Sequence, residues 1–538
     1  MSDEIETRAR KAARRSLTRR DFLKGVGATG AGLAFGPLLA SCGGEESTTT
    51  STAAQGGGGG PKTGGSLKVG IVGGSAKDTL DPHLATTEPD IALNTQLYDS
   101  LMGWDQDYVL KNRLAEEVSA NPEATVWTVR LRPDLSWHDG KPVTSDDVVY
   151  TFQRIVDPAN PLSGAASLGG LKPENVIKVD ERTVEFRLDI PNAILTEGFA
   201  YRQNMLIPVG FDPTKPVGCG PFKLGEFKPG QQATFSPFDG FWEDGPYVAD
   251  LTIIEFADEA ARVNAFLSDT VHMISQLPRA QVTVVEGSAG HKVLRASTGA
   301  WQPFTMRIDE KPYSDVRVRQ AFRLIVDRQQ MLEQAYSGYG WVANDMYSPF
   351  DPGFPKDLPQ REQDLEKAKS LLKEAGYADL TVELVTSDAV GGSAVSAAQV
   401  FAEQAKGAGV TVNLNKVDPG VFYGDQYLTW PFAQDFWYTR NYLAQAAAGT
   451  LPTAPYNETH WKDEEWQKLV EEAYRTPDDA KRNELVAAAA TIEYERGGLI
   501  VWAFNDQIDA YNEKIGGVKP DKSGTPLTGF RFHKVHFA

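Results

Sequence analysis

The chain of 538 residues carries 54 Lys and Arg against 72 Asp and Glu, a formal net charge of −18. That balance argues against nucleic acid and anionic lipid surfaces as partners, because phosphate-rich surfaces select basic patches. With 41% hydrophobic and 10% aromatic residues the chain can build two or more cores, and with only Cys42 and Cys219 it has no disulfide framework.

The first segment is a targeting signal. Arg19 and Arg20 precede Asp21-Phe22-Leu23-Lys24 and a moderately apolar run from Gly25 to Ala40, which closes on Leu39-Ala40-Ser41-Cys42. The run falls short of the roughly 18 to 20 apolar residues a membrane span needs, and glycines interrupt it. Its start resembles a twin-arginine export signal and its end the lipobox of bacterial lipoproteins. That resemblance implies removal of residues 1–41, acylation of Cys42 and a body held outside the cytoplasmic membrane by lipid chains. Residues 42–65 are mostly Gly, Ser, Thr and Glu, with an unbroken run Gly56 to Gly60 and then Pro61, a composition that buries nothing and acts as a tether of about 25 Å reach.

The body begins with a strand at Ser66 to Val72, then a helix from Ile91 to Leu101 with leucines at four-residue spacing. Val126 to Arg132 alternates as a half-buried strand. Asp139-Gly140 marks a turn, and Thr144 to Asp147 caps a helix striped by Val148, Val149, Phe152, Ile155 and Val156. Val184, Phe186, Leu188 and Ile190 form the apolar face of another strand. Cys219 stands in Val217-Gly218-Cys219-Gly220-Pro221 with no histidine nearby in sequence, which fits a buried, inert thiol better than a nucleophile.

In the second half, Asp315 to Gln334 reads as one helix with Val318, Ala321, Phe322, Ile325 and Val326 on its apolar face, and Leu365 to Ala375 as another. A strand at Leu380 to Leu384, a helix from about Ala394 to Lys406 and a strand at Val410 to Leu414 make a β-α-β unit, which implies parallel pairing. Helices near Asp463 to Tyr474 and Asp478 to Arg496 precede an apolar strand from Leu499 to Phe504.

Several stretches together resemble the large extracytoplasmic solute-binding proteins of ABC importers, the peptide and nickel family. They are Leu80-Asp81-Pro82, Leu131-Arg132-Pro133, Trp137 through Val148, Gly218 through Phe222, Phe241-Trp242 and Tyr313 through Phe322, and the likeness covers residues 66–538. Members usually have Thr where Cys219 stands. The resemblance implies an α/β, bilobed periplasmic-binding fold of type II, in the large class with an extra subdomain. It maps as residues 66–100, 216–299 and 506–538 in lobe 1, 101–215 in its extra subdomain and 300–505 in lobe 2. The two crossings fall near Ala300 and Asn505. The implied function is capture of a small peptide or related solute in the interlobe cleft, hinge closure, and delivery to ABC permease subunits, by a monomer with no cofactor.

Two other classes find less support in the sequence. A hydrolase on solutes of the same compartment lacks any supporting motif: there is no G-x-x-x-x-G-K-[ST], H-E-x-x-H or G-x-S-x-G, and the seven histidines are scattered. His533 and His536, the closest pair, point to opposite faces if they lie on a strand, so no metal site is expected. A structural lipoprotein without a ligand fits poorly with the aromatic stretch Trp430 to Tyr442.

That stretch is the first candidate for the ligand site. In peptide-binding relatives, the resemblance implies, a Trp is followed three residues later by an Asp that pairs with the ligand's ammonium group. Here Trp437 keeps the first position and Arg440 takes the second, which reverses the sign and points to an anion. Asn441 joins them, with Trp301 and Asn457 as further candidates. Two alternatives stay open: Arg440 tied internally to Asp435 or Glu458, or Asp435 keeping the amine role.

Overall fold

The computed structural model describes residues 61–538, so Arg19, Arg20, Cys42, the signal and most of the tether lie outside the described residues. Among the described residues no helix is long and apolar enough to cross a membrane.

Two large sheets divide the body. The first runs from His291–Trp301 through Ala503–Asn512, Met273–Ile274, Ser66–Val72, Asp250–Phe256 and Gln232–Pro237 to Phe222–Lys228, with Gly340–Val342 paired onto Ala503–Asn512. Its central strand Ser66–Val72 buries Leu67, Val69 and Ile71 completely, as the alternation in the sequence requires. The second sheet runs Val410–Lys416, Leu380–Thr386, Phe432–Gln434, Phe304–Met306, Leu499–Ile500. A smaller sheet of Ala115–Ala120, Val126–Leu131, Thr183–Arg187 and Val176–Lys178 packs under the helix Ser145–Ile155, whose Thr144 and Asp147 close a reciprocal capping box.

The chain enters the second sheet at Gln302-Pro303, returns to the first for the short strand Gly340–Val342, and leaves the second sheet for the last time at Val501-Trp502. On one side Trp301 pairs with Phe504, and on the other Phe304 pairs with Ile500, so the two crossing segments are hydrogen-bonded neighbours both before and after the crossing. The junction is sealed by Tyr336, whose ring packs 4.4 Å from that of fully buried Trp502 and whose hydroxyl donates to Gln302 Oε1.

The β-α-β unit forms as expected, with helix Ala394–Lys406 between strands that pair in parallel from Leu380 opposite Val410 to Thr386 opposite Lys416. Elsewhere the structure corrects the sequence reading. The helix expected over Asp315 to Gln334 is two helices, Val316–Ile325 and Arg328–Tyr336, because Val326 is extended and Asp327 accepts the Gln330 N–H as a fresh N-cap. The first helix spans Glu88–Leu97, not Ile91 to Leu101, since the Thr87 capping box starts it a turn earlier. Ile190 is exposed rather than buried, because the strand stops at Arg187. The apolar run Leu499 to Phe504 is split between the two large sheets. His533 lies on a 3-10 turn, Phe532–Lys534, with its ring against Glu243, so the strand argument for the histidine pair does not apply.

Cys219 is buried in the core of the small sheet, and burial pushes its thiol up from the ordinary range. The flanking glycines are there for space: a Cβ on Gly218 would sit 1.7 Å from the Leu97 carbonyl oxygen.

Candidate functional site

The strand Phe432–Gln434 sits in the middle of the second sheet, and the chain that leaves it bridges through Trp437 to Trp301, the last residue of a first-sheet strand. There Trp437 and Trp301 meet. Their indole rings lie 6.2 Å apart, nearly parallel, and the stack continues from Trp301 to Tyr347 at 5.2 Å and from Tyr347 to Tyr442 at 5.3 Å. All four rings are buried, so they form a rigid wall beside the Arg440 segment.

Glu493 anchors this wall. Its Oε2 accepts the hydroxyls of both Tyr347 and Tyr442 at 2.8 Å, and the Tyr442 hydroxyl in turn accepts the Trp466 indole N–H at 2.7 Å. Burial pushes the Glu493 carboxyl up to about 7.

Arg440 stacks its guanidinium over the Trp437 ring at 5.4 Å and is half-buried. Among the described residues it makes no ion pair, and its Nη1 is buried without a hydrogen-bond partner. The two acids left open as alternative internal partners are engaged with other groups. Asp435 accepts the Tyr423 hydroxyl at 2.8 Å and shares the single Tyr427 O–H, at 2.8 Å, with Glu458 at 3.2 Å, and Glu458 also accepts the Trp437 indole N–H.

Thr439, just before Arg440, ties this segment to three distant parts of the chain. Its hydroxyl accepts the Gly299 N–H and donates to the Lys522 carbonyl, while its own carbonyl accepts the Tyr108 hydroxyl at 3.2 Å. Tyr108 comes from the hairpin Met102–Trp104 and Leu110–Asn112, stacked at 4.3 Å on Trp104. Asn441 reaches across as well: its Nδ2 donates to Glu197 Oε1 at 3.0 Å, and its Oδ1 is buried without a partner.

The structure thus brings Trp437, Arg440, Asn441 and Trp301 together and sets Asn457 apart. The Asn457 amide is saturated within its own loop, donating to the Leu451 and Trp461 carbonyls and accepting from the Trp461 N–H and the Thr459 hydroxyl. It is a loop brace. Trp301, at 2% exposure, is itself a buried member of the wall, between Trp437 and Tyr347. Sequence reasoning missed Tyr108, Glu197, Tyr347 and Glu493, whose partners lie far along the chain. Among the described residues no three His, Cys, Asp or Glu side chains gather as a metal site would require.

Residues 109–468 match the family described as bacterial extracellular solute-binding proteins, family 5 middle region, and residues 16–36 match the twin-arginine translocation signal. The glutathione-binding protein GsiB of Escherichia coli K12 is 23% identical over 498 residues, covering 85% of this chain and 92% of that protein. Among solved structures, the ABC transporter substrate-binding protein CtaP of Listeria monocytogenes superposes with a TM-score of 0.78 at 22% identity, covering 88% of this chain and 100% of that one. AgaA of A. tumefaciens R10, in complex with agropinic acid, gives 0.70 at 23% identity, covering 88% and 99%.

Proposed function

The chain belongs to the bacterial extracellular solute-binding proteins of family 5, the exported binding components of ABC importers, and from that premise we propose that its cargo is an anionic organic solute held by Arg440. The observation that carries this reading is the half-buried guanidinium itself. It is set on the Trp437 face with a buried Nη1 that no group among the described residues satisfies. Leaving a charged donor buried and unmet is costly, and a ligand carboxylate would meet it while the aromatic wall packs against the solute's body. Curated relatives bind glutathione and one solved relative holds agropinic acid, both of them carboxylate-bearing compounds.

The residues allotted to two lobes and an extra subdomain, 66–100, 216–299 and 506–538 against 300–505, with 101–215 between, describe the moving parts. Solute bridges both lobes only when they are closed, which gives it the differential affinity that shifts the population toward the form the permease reads. No covalent step is involved. Acylation at Cys42 would keep a monomeric body beside its importer on the outer side of the membrane.

Titration calorimetry tests the cargo. Glutathione and N-acetylated acidic dipeptides are expected to bind more tightly than neutral dipeptides with a free amine. Tight, amine-dependent binding of plain dipeptides would overturn the reading.

A further inference from the structure

Asn441 stands next to the anion site, yet only half of its amide is satisfied. Its Nδ2 is held by Glu197, which comes from the short helix Leu195–Phe199 on the opposite lobe; its Oδ1 is buried with no partner, in a residue only 9% exposed. An amide has one donor end and one acceptor end, and a carboxylate can only accept. An ionised Glu197 therefore takes Nδ2 and turns Oδ1 away from itself. A protonated Glu197 can donate to Oδ1, and the amide, rotated by half a turn, then presents Nδ2 to the same space.

We propose that Glu197 is a specificity-positioning residue, whose charge state selects which end of the Asn441 amide stands beside Arg440. This rests on reading Arg440 as the anion site and adds the geometry of the anion's neighbour. With Glu197 ionised, the site offers a cation and an acceptor, which suits a carboxylate with an adjacent N–H, as at the C-terminal residue of a peptide. With Glu197 protonated, it offers a cation and a second donor, which suits a bare anionic group.

The surroundings keep both forms within reach. Burial pushes the Glu197 carboxyl up to about 7, with the Asp351 charge adding to the rise and the Asn441 hydrogen bond and Arg482 opposing it. The hydroxyls of Tyr108 and Tyr474 lie close enough to feel the same charge.

The test is NMR of the exported protein carrying 15N in its asparagine side chains, recorded alone and with excess glutathione, with the Asn441 signal assigned by its loss in Asn441→Ala. The Asn441 amide pair should move with a midpoint near pH 7 in the wild type and stay fixed in Glu197→Gln. Equal movement in Glu197→Gln, or none in the wild type under both conditions, overturns the proposal. A protein that prefers plain dipeptides while Asn441 still follows Glu197 would instead refute the anion reading and leave this coupling standing.

Discussion

The backbones of Trp301 and Trp437 hold each other: the Trp437 N–H donates to the Trp301 carbonyl at 2.9 Å and the Trp301 N–H to the Trp437 carbonyl at 3.0 Å. This isolated antiparallel bridge fixes the residue just before one lobe crossing to the residue that carries the Arg440 guanidinium. The wall of rings and the hinge are therefore one mechanical unit.

Truncating that unit should be expensive. Trp301→Ala removes a 2% exposed indole from the middle of the stack and is expected to lower stability by about 3–5 kcal/mol. Urea unfolding followed by tryptophan fluorescence measures it, and a loss under 1 kcal/mol would mean that the stack is not cohesive.

Arg440→Ala should behave in the opposite way. Among the described residues the guanidinium has no acid partner, so its removal should leave the unfolding midpoint nearly unchanged. Affinity for an anionic solute should fall by about 2–5 kcal/mol, the usual loss when one side of a buried charge pair is deleted. Calorimetry and thermal unfolding on the same preparation separate the two effects.

The buried acids make stability depend on pH with a definite sign. Glu493 is raised from 4.5 to about 7 in the folded protein. Between those values the folded state keeps a proton that the unfolded chain has released, so the contribution is complete below 4.5 and is lost as pH rises through 7. For this one group the swing is about 3 kcal/mol. Glu88, Asp509 and Glu255 are raised by burial as well and act in the same direction. His83 and His138, lowered to about 4 by burial, act the other way below pH 6.5 but are outnumbered by the raised acids. Unfolding free energy should therefore be higher at pH 5 than at pH 8, and Glu493→Gln should flatten part of that slope.

Export and the proposed anchoring through Cys42 should be separable by mutation. Replacing Arg19 and Arg20 together by Lys should retain the precursor in the cytoplasm, since residues 16–36 match the twin-arginine signal. Cys42→Ala should leave export intact and move the protein from the membrane fraction to the soluble extracytoplasmic fraction. Fractionation with immunoblotting reads both.

What the sequence made legible was whatever depends on neighbours within a few residues. The capping box at Thr144 and Asp147, the helix Ala394–Lys406 and the alternation of Ser66–Val72 are local, and each forms where periodicity places it. The break at Val326-Asp327 was missed because the apolar stripe runs on through it, although Asp327 itself is a cap residue. Leu499 to Phe504 reads as one strand because both halves are buried, and nothing local says that they are buried in different sheets. At the site, aromatic density marked Trp437 and Arg440, but the partners of Asn441 and Tyr442 are Glu197 and Glu493, and no spacing rule joins residues that far apart. Asn457 misled for the complementary reason: an amide beside aromatics looks available until its own loop is folded around it.

The paired crossing segments restrict how the molecule can move. A single linking chain can twist as freely as it bends, but two strands laddered on both sides of Gln302-Pro303 and Val501-Trp502 resist torsion and leave bending as the soft direction. Opening is then described by one angle, and a pair of dyes placed on the two lobes would report cargo loading as a single distance coordinate.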